Sequence, residues 1–191
     1  MGAPHEVTAS AASSARAGIG RRLVEVALGA LLVAAAAQVA VPVPFNPVPM
    51  TLQPLAVLVV GGLLGASGGV AALVTYLALG VAGLPVFAGG SSGVWHLAGP
   101  TGGYLLAFPV AAGVTGALLG RSPGILRVLL ACALGMVVIH VGGVAQLALL
   151  GGDPGLALRI GFVPFLTGDL LKVGLAAAVI LGLRPKVRGA N

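Results

Sequence analysis

The chain has 191 residues, 58% of them hydrophobic and 7% charged, and its 10 Lys and Arg against 4 Asp and Glu give a net charge of +6. A soluble domain carries about 25% charged residues, so this chain cannot cover a water-soluble globule and reads, at a mean hydropathy of +1.11, as an integral membrane protein. Nucleic-acid binding is disfavoured too, because it needs a clustered basic face with aromatics, whereas the basic residues here are scattered through short connections and aromatics are 4%.

The elements follow in chain order. Residues 1–20 are Ala/Ser-rich and read as a disordered cytoplasmic tail. The apolar stretch after Arg22 outruns a secretory h-region of about 7–15 residues, so 22–41 reads as a retained first membrane helix. VPVPFNPVPM excludes helix, because prolines lack N–H groups and bias their predecessors toward extended backbone. A short second span over 51–65 meets a third over 69–84 through a tight GASGG turn. PVFAGGSSGVWHLAGP, 85–100, is a Gly/Ser loop. A fourth span covers 101–120, RSPG breaks it, and a fifth covers 125–150. Residues 151–160, opening with GGDPG, read as a loop, and a sixth span covers 161–183 before the basic tail 185–191.

The fold expected is therefore an all-α membrane protein, a six-transmembrane-helix bundle over 21–184 with elaborated extracellular loops. Placing the N-terminus inside puts Arg16, Arg21, Arg22, Arg121, Arg127, Arg184, Lys186 and Arg188 on inner segments and only Arg159 on an outer one. That is a positive-inside pattern, and it predicts a multi-pass cell-membrane protein with both termini cytoplasmic. Long irregular loops at membrane depth survive only when buried in protein or lining a cavity, which points to an outer mouth.

Asp169 and Lys172 carry the chemistry. They stand three apart on one helix face, in an otherwise apolar segment where each charge costs roughly 2.5–3.5 kcal/mol unless partnered or facing a polar cavity. Eight residues into the sixth span is roughly 12 Å at 1.5 Å per residue, so a pocket open to the outside can end there. Two readings stand: a structural ion pair, or a ligand site offering an acceptor and several donors to a solute with N–H and C=O or carboxylate groups. Gln53 and Asn46 either cap and solvate a loop or face such a site. Trp95 and His96 read as membrane-surface anchors, and His140 as a hydrogen-bonded interior histidine.

Other residues read more simply. Glu25 is expected in a salt bridge with the neighbouring arginines. Cys132, the only cysteine, reads as a small buried hydrophobe with neither disulfide nor metal-ligand spacing available. Ser91 and Ser92 have no evident base partner, and no P-loop pattern occurs. Ala30 and Ala34 lie one turn apart and suit close approach of another helix, within the bundle or from a partner subunit.

Four strings occur in a fixed order: VPVPFNPVPMTLQPLAVLVVGGLLG, GLPVFAGGSSG, GPTGGYLLAFP and PFLTGDLLK. Together they resemble the BioY family, the biotin-binding S components of energy-coupling-factor (ECF) transporters, over about residues 22–183. The resemblance implies six membrane helices, an outer pocket capped by loops, and biotin as the transported ligand. It also implies a transmembrane T component and ATPase subunits as partners, with ATP used only by them. No enzyme activity, cofactor or metal is implied. The family's D-x-x-K maps onto Asp169 and Lys172. Where relatives can carry an asparagine contact, this chain reads AGGSSG, so Ser91 or backbone such as Gly90 takes that place. Gln53 and Tyr104 complete the implied binding set, and Ala30 and Ala34 map to the T-component surface. Gly89, Gly90, Gly102 and Gly103 either admit the ligand to backbone or serve turns and packing. In the implied pose Asp169 accepts a ureido N–H and Lys172 donates to the ureido oxygen; in the alternative, Lys172 meets the carboxylate. Three other functions stay open: an S component for another vitamin, a small intramembrane enzyme using Asp169 and His140, and a structural subunit.

Overall fold

The computed structural model describes residues 4–120 and 123–189, with side chains over 18–120 and 123–184. The readings on Arg16, Arg121, Lys186 and Arg188 fall outside the described side chains. Helices dominate: α1 Pro4–Gln38, α2 Gln53–Val81, α3 Trp95–Ala98, α4 Gly102–Leu118, α5 Ile125–Gly151, α6 Pro154–Gly161 and α7 Leu166–Gly189. The Pro-rich segment closes as a small antiparallel ladder, β1 Ala40–Val41 against β2 Met50–Thr51, with Ala40 opposite Thr51.

Among the described residues, three stretches are long and apolar enough to cross a membrane: Gln53–Val81, Ile125–Gly151 and Pro154–Arg184. The first is broken. Gly65 has φ 75° and ψ −179° inside α2, a backbone state open to glycine and hostile to L side chains. The two arms, 53–64 and 66–81, fold back on each other. Gln53 Nε2 donates to Tyr76 Oη at 2.7 Å, and a Cβ on Gly69 would meet Gly61 Cα. The turn between the expected second and third spans thus lies at Gly65, at the start of GASGG.

Helix α4 packs into this hairpin backbone to backbone. A Cβ on Gly61 would collide with the Ala112 main chain, and one on Gly116 with the main chain at Gly65 and Ala66. Small residues are what permit such approach between apolar helices. Helices α1 and α7 flank α2, and α5 packs on α4. Basic residues mark one end of the bundle: Arg22 bonds Ser67 Oγ at 3.4 Å and Arg184 donates to Gly120 O at 2.7 Å. Arg21 and Glu25 form the expected ion pair at 3.0 Å. Cys132 is fully buried with a free thiol.

Four expectations change. Residues 4–20, expected as a disordered tail, are helical and continuous with the first span; alanine, abundant there, is the strongest helix former. Residues 154–161 form a helix where a loop was expected. Asp153 caps it by accepting from Leu156 N–H at 3.0 Å, and Pro154 opens it, a start signal visible in the sequence. The last long helix starts at Leu166, not 161, because Val163–Phe165 is a 3-10 turn around Pro164. Finally, Ala30 is 1% exposed in the core and Ala34 is half-buried. The buried face of α1 is Gly29, Ala30, Val33 and Ala37, so Ala30 packs inside the bundle and lies away from the exposed face expected to meet a partner.

Gly61→Ala should lower thermal stability by about 1–3 kcal/mol, because the obstructing atoms are Ala112 backbone. Gly182→Ala, whose Cβ meets nothing within 4 Å, should leave it unchanged or raised. Melting of the purified variants in one detergent checks both; equal melting temperatures would contradict the packing described.

Candidate functional site

A cavity of about 320 Å³ opens at the end of the bundle opposite Arg22 and Arg184. Its walls come from the Pro-rich segment, the start of α2, the 85–100 loop, α4, α5 and α7. Phe87, Leu105, Phe108, Ile139 and Phe165, with several prolines, make the lining surface mainly apolar, and polar side chains from the loops and helices interrupt it. That composition suits a small, largely apolar solute oriented by a handful of directed contacts.

The polar floor is built on Asp169. It lies in the first turn of α7, where the helix dipole favours a negative charge. The shorter helix therefore moves Asp169 from mid-span to a helix start. Lys172 Nζ donates to Asp169 Oδ1 at 3.0 Å, and His140 Nε2 lies 2.6 Å from Asp169 Oδ2. All three are nearly inaccessible, at 5% for Asp169, 6% for Lys172 and 8% for His140, and all three line the cavity. Charges so deep are tolerated because each has a partner.

His140 is held on every side. Its Nδ1 lies 3.3 Å from Gly161 O, which also accepts from Tyr104 Oη at 2.6 Å. The rings of Tyr104, Phe162 and Phe165 surround the imidazole at centroid distances of 6.1, 5.0 and 6.2 Å. Gly143, one turn beyond His140, leaves room for the Tyr104 ring, which a Cβ there would strike.

The remaining expected residues separate. Gln53, Ser91 and Tyr104 line the cavity with Asp169 and Lys172. Gln53 is buried; it donates to Tyr76 and accepts from Thr51 Oγ1 at 3.1 Å. Ser91 Oγ donates to Ala88 O at 2.8 Å. Gly90 is not in the lining; its φ of 71° serves the turn at Ala88–Gly90. Gly102 and Gly103 serve packing, since a Cβ on either would strike Leu97 O or Gly142 O.

His96 lines the cavity and stacks edge-on with Phe87 at 5.8 Å, while its neighbour Trp95 is 83% exposed, as an interface anchor would be. His140 is the hydrogen-bonded interior histidine expected, and its bond to Asp169 links α5 to α7 across 29 residues of sequence, a partner that no local pattern announces. Among the described residues no group of three or more His, Cys, Asp or Glu stands ready for a metal.

Side-chain amides tie the mouth together. Gln38 Nε2 reaches Phe87 O at 3.3 Å, Asn46 Nδ2 reaches Ile160 O at 2.7 Å, and Gln146 Nε2 donates to Leu97 O and Gly99 O at 2.9 and 2.7 Å. Asn46 is thus a strut between the Pro-rich segment and α6.

The chain and its fold are similar to known proteins. The BioY family profile matches residues 8–189. A biotin transporter BioY of Thermotoga maritima is 37% identical over 164 residues, covering 86% of this chain and 96% of the relative. A probable biotin transporter BioY of Pyrococcus horikoshii is 42% identical over 163 residues, covering 84% and 94%. A crystal structure of the S-component for biotin from an ECF-type ABC transporter superposes with a TM-score of 0.82 at 27% identity, over 88% of this chain and 93% of that one.

The floor also makes a stability prediction. Lys172→Met alone should destabilise the protein by about 3–5 kcal/mol, because it removes one partner from a buried charge pair. Adding Asp169→Leu should restore part of that loss, since it removes the buried charge that Lys172 answered but leaves His140 Nε2 without its carboxylate partner. Thermal melting of the single and double variants tests this, and a double variant as unstable as the single would contradict it.

Proposed function

The chain belongs to the BioY family, and from that premise we propose that it is the membrane subunit that captures biotin at the outer face and passes it inward. The observation that carries the reading is the cavity itself, with apolar walls ending on a buried acid–amine pair. Biotin has the matching shape: an apolar thioether ring and tail, a ureido group with two N–H donors and a C=O, and a carboxylate. Phe87, Leu105, Phe108, Ile139 and Phe165 would enclose the ring and tail. Asp169 accepts a ureido N–H, and Lys172, which has donors beyond the one given to Asp169, donates to the ureido oxygen. Gln53, Ser91 and Tyr104 line the remaining polar wall.

The protein performs no covalent chemistry in this scheme. Inward delivery is energised by an ECF T component and ATPase subunits, which alone use ATP. The T component would meet the exposed face of α1, with Ala34 at its edge and Ala30 excluded. Six crossings are proposed: α1, the two arms of α2, α4, α5 and α7. The basic end lies in the cytoplasm with both termini, and the cavity faces outward. The distribution of arginines supports that orientation.

Purified protein should bind biotin in calorimetry, and Lys172→Ala should weaken binding by at least about tenfold through loss of a charge-assisted hydrogen bond. Retained affinity in the variant would contradict the site. Biotin methyl ester separates the two poses: unchanged affinity places Lys172 on the ureido oxygen, and a large loss places it on the carboxylate.

A further inference from the structure

We propose that His140 is a positioning residue for the ligand-binding acid, acting through Asp169 and not on the ligand itself. The inference rests on the biotin reading above and adds a group that the D-x-x-K motif does not contain. A carboxylate held at one oxygen by Lys172 alone can swing about that contact. Here the second oxygen is held as well, by an imidazole nitrogen at 2.6 Å. Two donors on two oxygens set the plane of the carboxylate, and its remaining lone pairs are left to meet a ureido N–H. Preset acceptor geometry of this kind spares the ligand the cost of ordering the site.

The imidazole is itself a fixed part. Tyr104, Phe162 and Phe165 cage its ring, and its other nitrogen faces Gly161 O, which the Tyr104 hydroxyl also engages. The acid on α7 is thereby braced by α5, and α5 by α4 and the end of α6. His140 enters the cavity lining beside Asp169, but its Nε2 is committed to the carboxylate.

Two amides of similar polarity but different reach test this. The Gln Nε2 can occupy the place of the imidazole Nε2 and keep the bond to Asp169; the Asn Nδ2 stops near the place of Nδ1 and cannot. His140→Gln should bind biotin within about threefold of the parent, and His140→Asn should lose about tenfold or more, the scale for a hydrogen bond to a charged group. Both variants are to be measured by calorimetry in detergent, with melting temperatures taken alongside. A second readout separates positioning from mere support. The parent should discriminate between biotin and an analogue methylated on the ureido nitrogens, and the discrimination should shrink in His140→Asn but persist in His140→Gln. Equal affinities for all three proteins overturn the inference, as does unchanged discrimination in His140→Asn. Should His140→Asn fail to fold, His140→Leu replaces it with the same expectations, and a folded His140→Gln that binds no better than Lys172→Ala also overturns the proposal. A parent protein that binds no biotin at all would instead remove the functional reading on which the inference stands.

Discussion

A carboxylate at the start of a membrane helix is the constraint around which this molecule is organised. Asp169 sits where water is scarce, so its charge must be answered by fixed groups. The helix dipole supplies part of the answer; Lys172 from the same helix and His140 from α5 supply the rest. That requirement brings α5 against α7, sets Gly161 O between His140 and Tyr104, and makes Gly143 the residue that can admit the Tyr104 ring. A buried ion pair is weak evidence for stability in itself, because apolar residues of similar volume can take its place. Its retention at the floor of a cavity fits a group kept for recognition.

Around that floor, the irregular backbone of the mouth faces the same difficulty in milder form. Loops near a bilayer carry N–H and C=O groups that must find partners. Three amide side chains meet much of the need: Gln38, Asn46 and Gln146 each reach a carbonyl on another segment. The two-residue ladder of β1 and β2 closes the Pro-rich segment at its base. The loops that contribute to the cavity walls are thus pinned, and together with the helices they can enclose a ligand in a defined shape.

The other half of the molecule relies more on close helix packing, beside a few polar contacts such as Arg22–Ser67 and Arg184–Gly120 at its basic end. Between apolar helices no water is expelled to drive association, so close van der Waals approach must serve. Gly61 and Gly116 let α4 touch the α2 hairpin main chain to main chain, and Gly65 supplies the backbone state at which the hairpin turns. The bundle therefore has a tightly packed basic end and a hollow polar-floored end. That polarity agrees with a carrier that loads on one side and is driven from the other.

Composition and apolar runs by themselves determined the membrane class, the approximate helical segments and the polarity of the basic residues. The charge pair in GDLLK was legible because two charges in an apolar run are costly and share a helix face. The α6 start was also written in the chain, in Asp153 and Pro154, though a run of glycines around it obscured the signal. Only the tertiary structure decided which side of α1 is inward: small residues are compatible with either an internal or an external neighbour, and Ala30 proved internal. Only it placed Asp169 in a first turn, since a proline can either kink a helix or delay its start. And only it joined His140 to Asp169 and brought His96 to the cavity wall, because contacts between residues far apart in sequence leave no local pattern and arise from how the helices pack.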